Sequence, residues 1–369
     1  MKQPQQYIFW EPTASPHKNW LYEEFQSQVA PRRCKFFAHS EISAGRRRLG
    51  WPSVEQLSLP WTVAPTTELI NEVVATSPDA LHVVAGSSGR NKIVLRALKA
   101  KSIPFFIYAE PRCSDDGKGW LRYMHSMVFE RWISRRSAGV LAIGINGPSW
   151  FKRVGFPGEK IHEFGYFVPL PEFQPRKDLE DRKLRICYVG RLIEKKGIRD
   201  LIYATEMLKE PAHLCVIGEG EDRGSLERLA SSLGIDCEFR GAVPMNRVGQ
   251  ELAESDVLVL PSRSDDEGWG VVVNEALGAG AAVIVSNKAG AAAMIKDSRL
   301  GMVVAPYSST EIAAAISMLQ ESALFSNEAR AYRHCWALTN ASCKRAAKFM
   351  IWAFTRTPSR ERQEMFYGS

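Results

Sequence analysis

Two carboxylates eight positions apart, Glu267 and Glu275, bracket the turn Gly268-Trp269-Gly270-Val271. The run after them, Glu275-Ala-Leu-Gly-Ala-Gly, is helical in composition, and the run before, Asp256-Val-Leu-Val-Leu-Pro261, reads as a buried strand. A strand feeding a glycine turn and then a helix offers backbone N–H groups and the positive end of a helix dipole to an anion. Glycine lets a ligand come close to the backbone. A carboxylate one or two helical turns further on can accept hydrogen bonds from a vicinal diol such as a ribose. The same stretch also fits an ordinary strand-loop-helix connection with solvated acids.

A second motif tips the balance. Ile186-Cys-Tyr-Val-Gly-Arg-Leu-Ile-Glu-Lys-Lys-Gly197 reads as a strand, a glycine, a cation, a short loop and a second cation, followed by the helical run Ile198-Arg-Asp-Leu-Ile-Tyr-Ala. Arg191 and Lys196 thus fall at the carboxyl end of a strand, where open α/β sheets bind ligands. Arginine offers a planar fork to phosphate oxygens and lysine a point charge. Two solvated loop cations would be the plainer account, but cations and paired glutamates in one half of the chain fit better as a single anion-plus-sugar site.

Together the motifs resemble family four of the retaining nucleotide-sugar glycosyltransferases. Gly190-Arg-Leu-Ile-Glu-Lys-Lys-Gly197 is similar to that family's Gly-Arg-Leu-x4-Lys-Gly, and Glu267-Gly-Trp-Gly-Val-Val-Val-Asn-Glu275 to its Glu-x7-Glu signature, with Trp269 in the usual phenylalanine position. The resemblance runs from about Leu184 to Pro306 and is weak before it. It implies the GT-B fold: two Rossmann-like α/β domains of open parallel sheet facing a central cleft. It implies a donor of nucleotide-diphosphate-sugar type, UDP- or GDP-linked, and no separate cofactor. Glu267 would then hold donor-sugar hydroxyls, Glu275 the ribose diol, and the backbone near Gly241–Val243 the base. Arg191 and Lys196, with Gly190 and the amides of Gly268–Val271, would meet the diphosphate as it departs. Retention of anomeric configuration is likewise carried over from the family.

Elements to position these groups can be read along the chain. At 369 residues it is long enough for two domains. Candidate strands in the first half are 7–10, 34–38, 80–84, 104–108 and 139–143. Helices are expected at 19–29, 66–75, 92–101, 121–137 and 146–154. Strands separated by helices imply parallel sheets with right-handed crossovers. Residues 168–183, rich in proline and charge, read as a linker between domains 1–167 and 184–340. The second domain repeats the alternation, with strands near 184–189, 213–217, 236–240, 256–260, 282–286 and 302–304. The tail 341–369 is amphipathic and basic, and the resemblance implies a helix crossing back to the first domain.

The acceptor side is less legible. His17, in Ser15-Pro-His, follows the first strand, and Glu110, in Tyr108-Ala-Glu, follows a central one. Either can orient or deprotonate an acceptor hydroxyl; for His17, capping of a turn is the competing role. The glycine pair and histidine motif common in the family's first domain are not evident. Asp265-Asp266 have no further carboxylate or histidine at useful spacing and read as solvated loop charges, so no metal is expected.

Charge is distributed unevenly. Residues 1–166 hold 22 Lys+Arg against 14 Asp+Glu, whereas 167–369 hold 26 against 27, so the net +7 belongs to the first half. A basic face suits a phosphorylated acceptor such as a polyprenyl-diphosphate-linked glycan, an anionic membrane, or simply solubility. Nucleic acid is not expected, since no zinc-finger spacing, RNP-like motif or basic zipper occurs. On 121–137, Leu121, Met124, Val128 and Trp132 share one helical stripe. Core packing is the expectation, with a membrane-facing helix as the alternative. No apolar run approaches the roughly 20 residues of a membrane span, no signal peptide is evident, and seven unpatterned cysteines suit reduced thiols. These features place the chain in the cytoplasm, peripheral to the membrane if the basic face is used. A nucleotide-sugar epimerase or phosphorylase on the same scaffold, and a non-catalytic nucleotide-sugar-binding subunit, share the motifs; so in principle does a hydrolase using the two glutamates as acid and nucleophile.

Overall fold

The computed structural model describes residues 4–48, 50–112, 119–129, 131–176, 183–356 and 363–367. The chain divides into two compact units, Met1–Phe167 with Cys343–Ser369, and Val168–Ser342.

Unit 1 alternates β1 (Gln6–Thr13), α1 (Pro16–Val29), β2 (Arg33–Ser40), α2 (Ala44–Arg48), β3 (Trp61–Val63), α3 (Thr67–Thr76), β4 (Leu81–Val84), α4 (Asn91–Lys101) and β5 (Phe105–Ala109). It continues through α5 (Gly119–Phe129), α6 (Arg131–Arg136), β6 (Gly139–Ile143), α7 (Gly147–Arg153) and β7 (Ile161–Phe164). The seven strands lie in the order β3-β2-β1-β4-β5-β6-β7, all pairings parallel. Tyr7, Ile8, Phe9 and Trp10 are all fully buried, as a central strand covered on both faces requires. The chain order reverses between β1 and β4, and the carboxyl ends there are where such sheets take ligands.

Three details depart from the sequence reading. β3 and β7 were not expected: β3 has three residues, β7 carries His162 and Glu163, and neither edge strand makes an apolar run. α1 starts at Pro16, not Asn19, because Ser15 caps it, its hydroxyl accepting from the Lys18 N–H at 3.3 Å. The helix expected over 121–137 is described as α5 and α6 on either side of residue 130, which lies outside the described residues. The stripe expected to be core is also turned outward: Leu121, Met124 and Val128 are exposed, and only Trp132 packs partly against the core.

Unit 2 runs β8 (Leu184–Val189), α8 (Ile198–Glu206), β9 (Ala212–Ile217), α9 (Arg223–Ser232), β10 (Cys237–Gly241), α10 (Met245–Ala253) and β11 (Val257–Leu260). α11 (Val272–Gly278), β12 (Ala282–Ser286), β13 (Gly301–Val304), α12 (Ser309–Glu321) and α13 (Asn327–Asn340) complete it. Its sheet is parallel, ordered β10-β9-β8-β11-β12-β13, with the reversal between β8 and β11. Both candidate motifs follow the strands at this reversal. Behind them α13 inserts two buried arginines. Arg330 donates to the carbonyls of Ala253, Ser255 and Ala279, and Arg333 to those of Gly280 and Arg299.

The last helix, α14 (Cys343–Thr355), belongs to unit 1 and packs on α1. Its Phe354 ring lies 6.2 Å from Tyr7, 5.8 Å from Phe25 and 4.8 Å from Phe106, centroid to centroid. No helix among the described residues is long and apolar enough to cross a membrane.

Candidate active site

β8 ends one residue before Gly190, whose N–H is held by the Ile217 carbonyl at 2.9 Å. Arg191 follows. Its side chain is exposed and has no partner among the described residues. A single 3-10 turn, Glu194–Lys196, then returns the chain, ended by Gly197 at φ 70°. Only glycine fits there: a Cβ would stand 2.1 Å from the Pro261 carbonyl oxygen.

This close approach brings the two motifs together. Lys196 Nζ pairs with Glu267 Oε2, and Ser262 Oγ donates to the same oxygen. Both ion-paired side chains are largely buried. Arg191 belongs to the same group of charges: the Tyr188 hydroxyl is pushed up by burial and by the Glu267 carboxylate, and drawn the other way by Arg191. Gly270 lies beside Glu267, since a Cβ on it would sit 3.7 Å from Glu267 Oε1.

The glycine turn between the glutamates is fastened from one side. Gly290 N–H donates to the Gly268 carbonyl at 3.0 Å and Ala291 N–H to that of Trp269 at 2.8 Å. Trp269 itself is core, 1% exposed, its indole N–H on Asn274 Oδ1 at 2.8 Å. Its side chain fixes the turn from within the core, and the role expected of the residue is that of its backbone amide. The amides of Gly270 and Val271 donate to no protein acceptor among the described hydrogen bonds. The carboxyl of Glu275, in the first turn of α11, has no hydrogen-bond partner among the described residues, and burial pushes it up to about 8. Asp265 is not a solvated loop charge as expected but pairs with Lys288 at 3.4 Å.

The neighbouring strand ends complete the platform. Gly218 N–H donates to the Gly241 carbonyl at 2.8 Å, placing Gly241 one strand beyond β9, with Val243 half-buried just after it.

In unit 1 the strand ends around β1, β4 and β5 open on a cavity of about 320 Å³. Glu110 lines it; His17 does not. His17 instead sits against Trp51 and Trp20, with ring centroids 5.0 and 5.9 Å away, and burial with the nearby Arg46 charge lowers its pKa to about 4. Glu110 is exposed at the mouth and accepts a hydrogen bond from Tyr166. Deeper in, a cluster that the sequence reading missed appears. Lys18 Nζ is 3.4 Å from Glu11 Oε1 and 2.9 Å from the Tyr108 ring centroid, and Tyr22 donates to Glu11. Burial drives both members of the pair toward neutrality, raising Glu11 and lowering Lys18 to about 8 against the pull of Glu11. The signal available in the sequence was Glu11 itself, an acid closing the apolar run Tyr7–Trp10 at the sheet's reversal point.

Comparison with known proteins bears on these two sites. Residues 171–333 match the family model for glycosyl transferases group 1. The chain is 26% identical over 207 residues to an alpha-D-kanosaminyltransferase of Streptomyces kanamyceticus, covering 52% of this chain and 53% of that one. It is 30% identical over 158 residues to a GDP-mannose-dependent alpha-(1-6)-phosphatidylinositol monomannoside mannosyltransferase of Mycobacterium tuberculosis, covering 40% and 41%. The matches thus span about half or less of these relatives. Among solved structures, Anabaena Alr3699/HepE in complex with UDP aligns at TM-score 0.71, and the lipopolysaccharide outer core galactosyltransferase WaaB, apo form, at 0.73. Each is 15% identical and covers 94% of this chain and 98% of its own. That likeness establishes the fold, GT-B, for the two open parallel sheets.

Proposed function

We propose that this chain, whose residues 171–333 match the family model for glycosyl transferases group 1, moves a sugar from a nucleotide-diphosphate sugar to a glycan or lipid-linked acceptor with retention of configuration. The observation that carries the reading is the Lys196–Glu267–Ser262 cluster, with the unpartnered Arg191 beside it and the unpartnered Glu275 on the next helix. As the glycosidic bond breaks, its electron pair leaves with the diphosphate, and the sugar ring gains oxocarbenium character. Fixed cations at the leaving group stabilise that state more than the ground state. Arg191 and Lys196 are those cations, so the reading needs no metal. Without ligand, Lys196 is committed to Glu267. On donor binding the partners exchange: the diphosphate takes the ammonium, and the sugar hydroxyls take the carboxylate. The free amides of Gly270 and Val271 point to further phosphate contacts, and Glu275 to the ribose diol. The base, of UDP or GDP type, lies by Gly241–Val243.

The acceptor belongs to the cavity of unit 1, where Glu110 orients or deprotonates its hydroxyl. Glu11 and Lys18 offer fixed hydrogen-bonding groups below it. The basic half of the chain suits an acceptor carrying phosphate, so the enzyme works at the cytoplasmic face of a membrane, in cell-surface polysaccharide or glycolipid synthesis. Thermal shift with UDP, GDP and their sugars tests the donor site, since a ligand at about 100 times its dissociation constant stabilises by about 2.7 kcal/mol. Arg191→Ala and Lys196→Ala should each lower turnover at saturating donor by on the order of 10². Wild-type turnover in both variants, or no shift with any nucleotide, would sink the reading.

A further inference from the structure

α5 is built inside out. The residues it turns to solvent are Trp120, Leu121, Met124, His125 and Val128, and the four apolar ones are 66%, 49%, 48% and 63% exposed. At 100° per residue those four share one arc of roughly 100°. Gly119 and Ser126, on the opposite side, are buried. A helix on a water-facing surface has the reverse pattern, and a contiguous apolar patch of this kind marks an interaction site.

The surroundings are cationic. Arg112 Nη1 lies 3.5 Å from His125 Nδ1, and the Arg153 guanidinium sits 5.2 Å from the centre of the Tyr123 ring, so an arginine flanks α5 on each of these contacts. Arg131 and Arg135 are exposed on the following helix. Over residues 110–136 as a whole, six cations stand against four acids. The inner side of the same region meets the cavity, because Ser126 and Ile133 line it. Its walls there are apolar, with Trp150, Phe151 and Phe156, while Glu11, Lys18, Glu110 and Arg112 are its charged lining.

We propose that the outer face of α5 docks on an anionic lipid bilayer, with Trp120 at the headgroup level, and that the cavity behind it takes the polar head and first apolar segment of a membrane amphiphile. This rests on the transferase reading for the amphiphile's role as acceptor; the docking does not. Tryptophan and arginine around an apolar stripe suit the interface between acyl chains and anionic headgroups. A second copy of the chain fits less well, because a two-fold contact sets the same arginines against each other.

The test uses the full chain and two vesicle preparations, phosphatidylcholine alone and phosphatidylcholine with about one-third phosphatidylglycerol. The wild type should sediment with the anionic vesicles, less so as salt rises, and not with the neutral ones. The double variant Trp120→Ser with Leu121→Gln, checked for an unchanged melting temperature, should bind about tenfold more weakly or worse. Equal binding by this variant, or no binding by the wild type, overturns the proposal. So does a wild-type dimer that the variant converts to monomer while vesicle binding stays the same. Thermal shift with nucleotide sugars, run on both proteins, keeps the two readings apart: it should be identical in each, and its absence would remove the transferase reading without touching the vesicle result.

Discussion

Lys196 and Glu267 neutralise each other in the ligand-free chain, and this shapes what single substitutions do. Glu267→Gln releases the ammonium while keeping the volume. The expected result is tighter binding of free nucleoside diphosphate, by several-fold, together with weaker binding and slower transfer of the sugar-bearing donor; titration calorimetry with both ligands checks it. Equal loss of both would make Glu267 part of the nucleotide pocket. Glu275 gives a pH signature. Its folded pKa of about 8 lies above the ordinary 4.5. Between those values the native state holds a proton that the unfolded chain has released, so ligand-free stability is full below about 4.5 and falls as pH rises toward 8. Glu275→Gln should flatten that decline in melting temperature and weaken nucleotide binding. A decline that persists in Glu275→Gln would assign it to other groups.

At the level of elements, glycines make the site possible. A Cβ on Gly218, at φ 140°, would come within 1.8 Å of the Gly190 carbonyl oxygen, so Gly218→Ala must separate the ends of β8 and β9. Its cost should be at least about 1 kcal/mol in denaturant unfolding, with loss of nucleotide binding, because Arg191 follows directly on Gly190. Unchanged stability and binding would show that the strand ends are free to part. Elements like these were legible in advance to different degrees. Most strands of unit 2 are largely apolar runs between turn signals, β10 alternates polar and apolar residues instead, and all six match an expected strand. β3 and β7 are short edge strands with polar residues, which have no such run. α5 was misread for a deeper reason: periodicity reports that a helix has two faces, but not which face the rest of the chain covers. The donor motifs were readable because their spacing is local. The Glu11–Lys18–Tyr22–Tyr108 cluster was not, because it joins residues from three elements through the fold.

The whole molecule is threaded out of order. Unit 2 is one continuous stretch, whereas unit 1 is made of two pieces separated by it. α14 buries Phe349, Met350, Trp352 and Phe354, each worth about 1.5–3 kcal/mol of apolar burial. A chain stopped after Ser342 should therefore expose the Tyr7–Phe25–Phe106 face, bind a hydrophobic dye and aggregate, while Val168–Ser342 alone should remain folded; an equally soluble 1–342 chain would contradict this. The same threading sets a timetable on the ribosome. At about 5–20 residues per second, the 175 residues of unit 2 take roughly 10–35 seconds to make. Throughout that interval the first-made sheet waits with an aromatic flank uncovered, and the second-made unit closes first. Any nascent-chain companion that shields apolar surface has its binding window written into the order of the sequence: it opens as Phe106 emerges and shuts when Phe354 does.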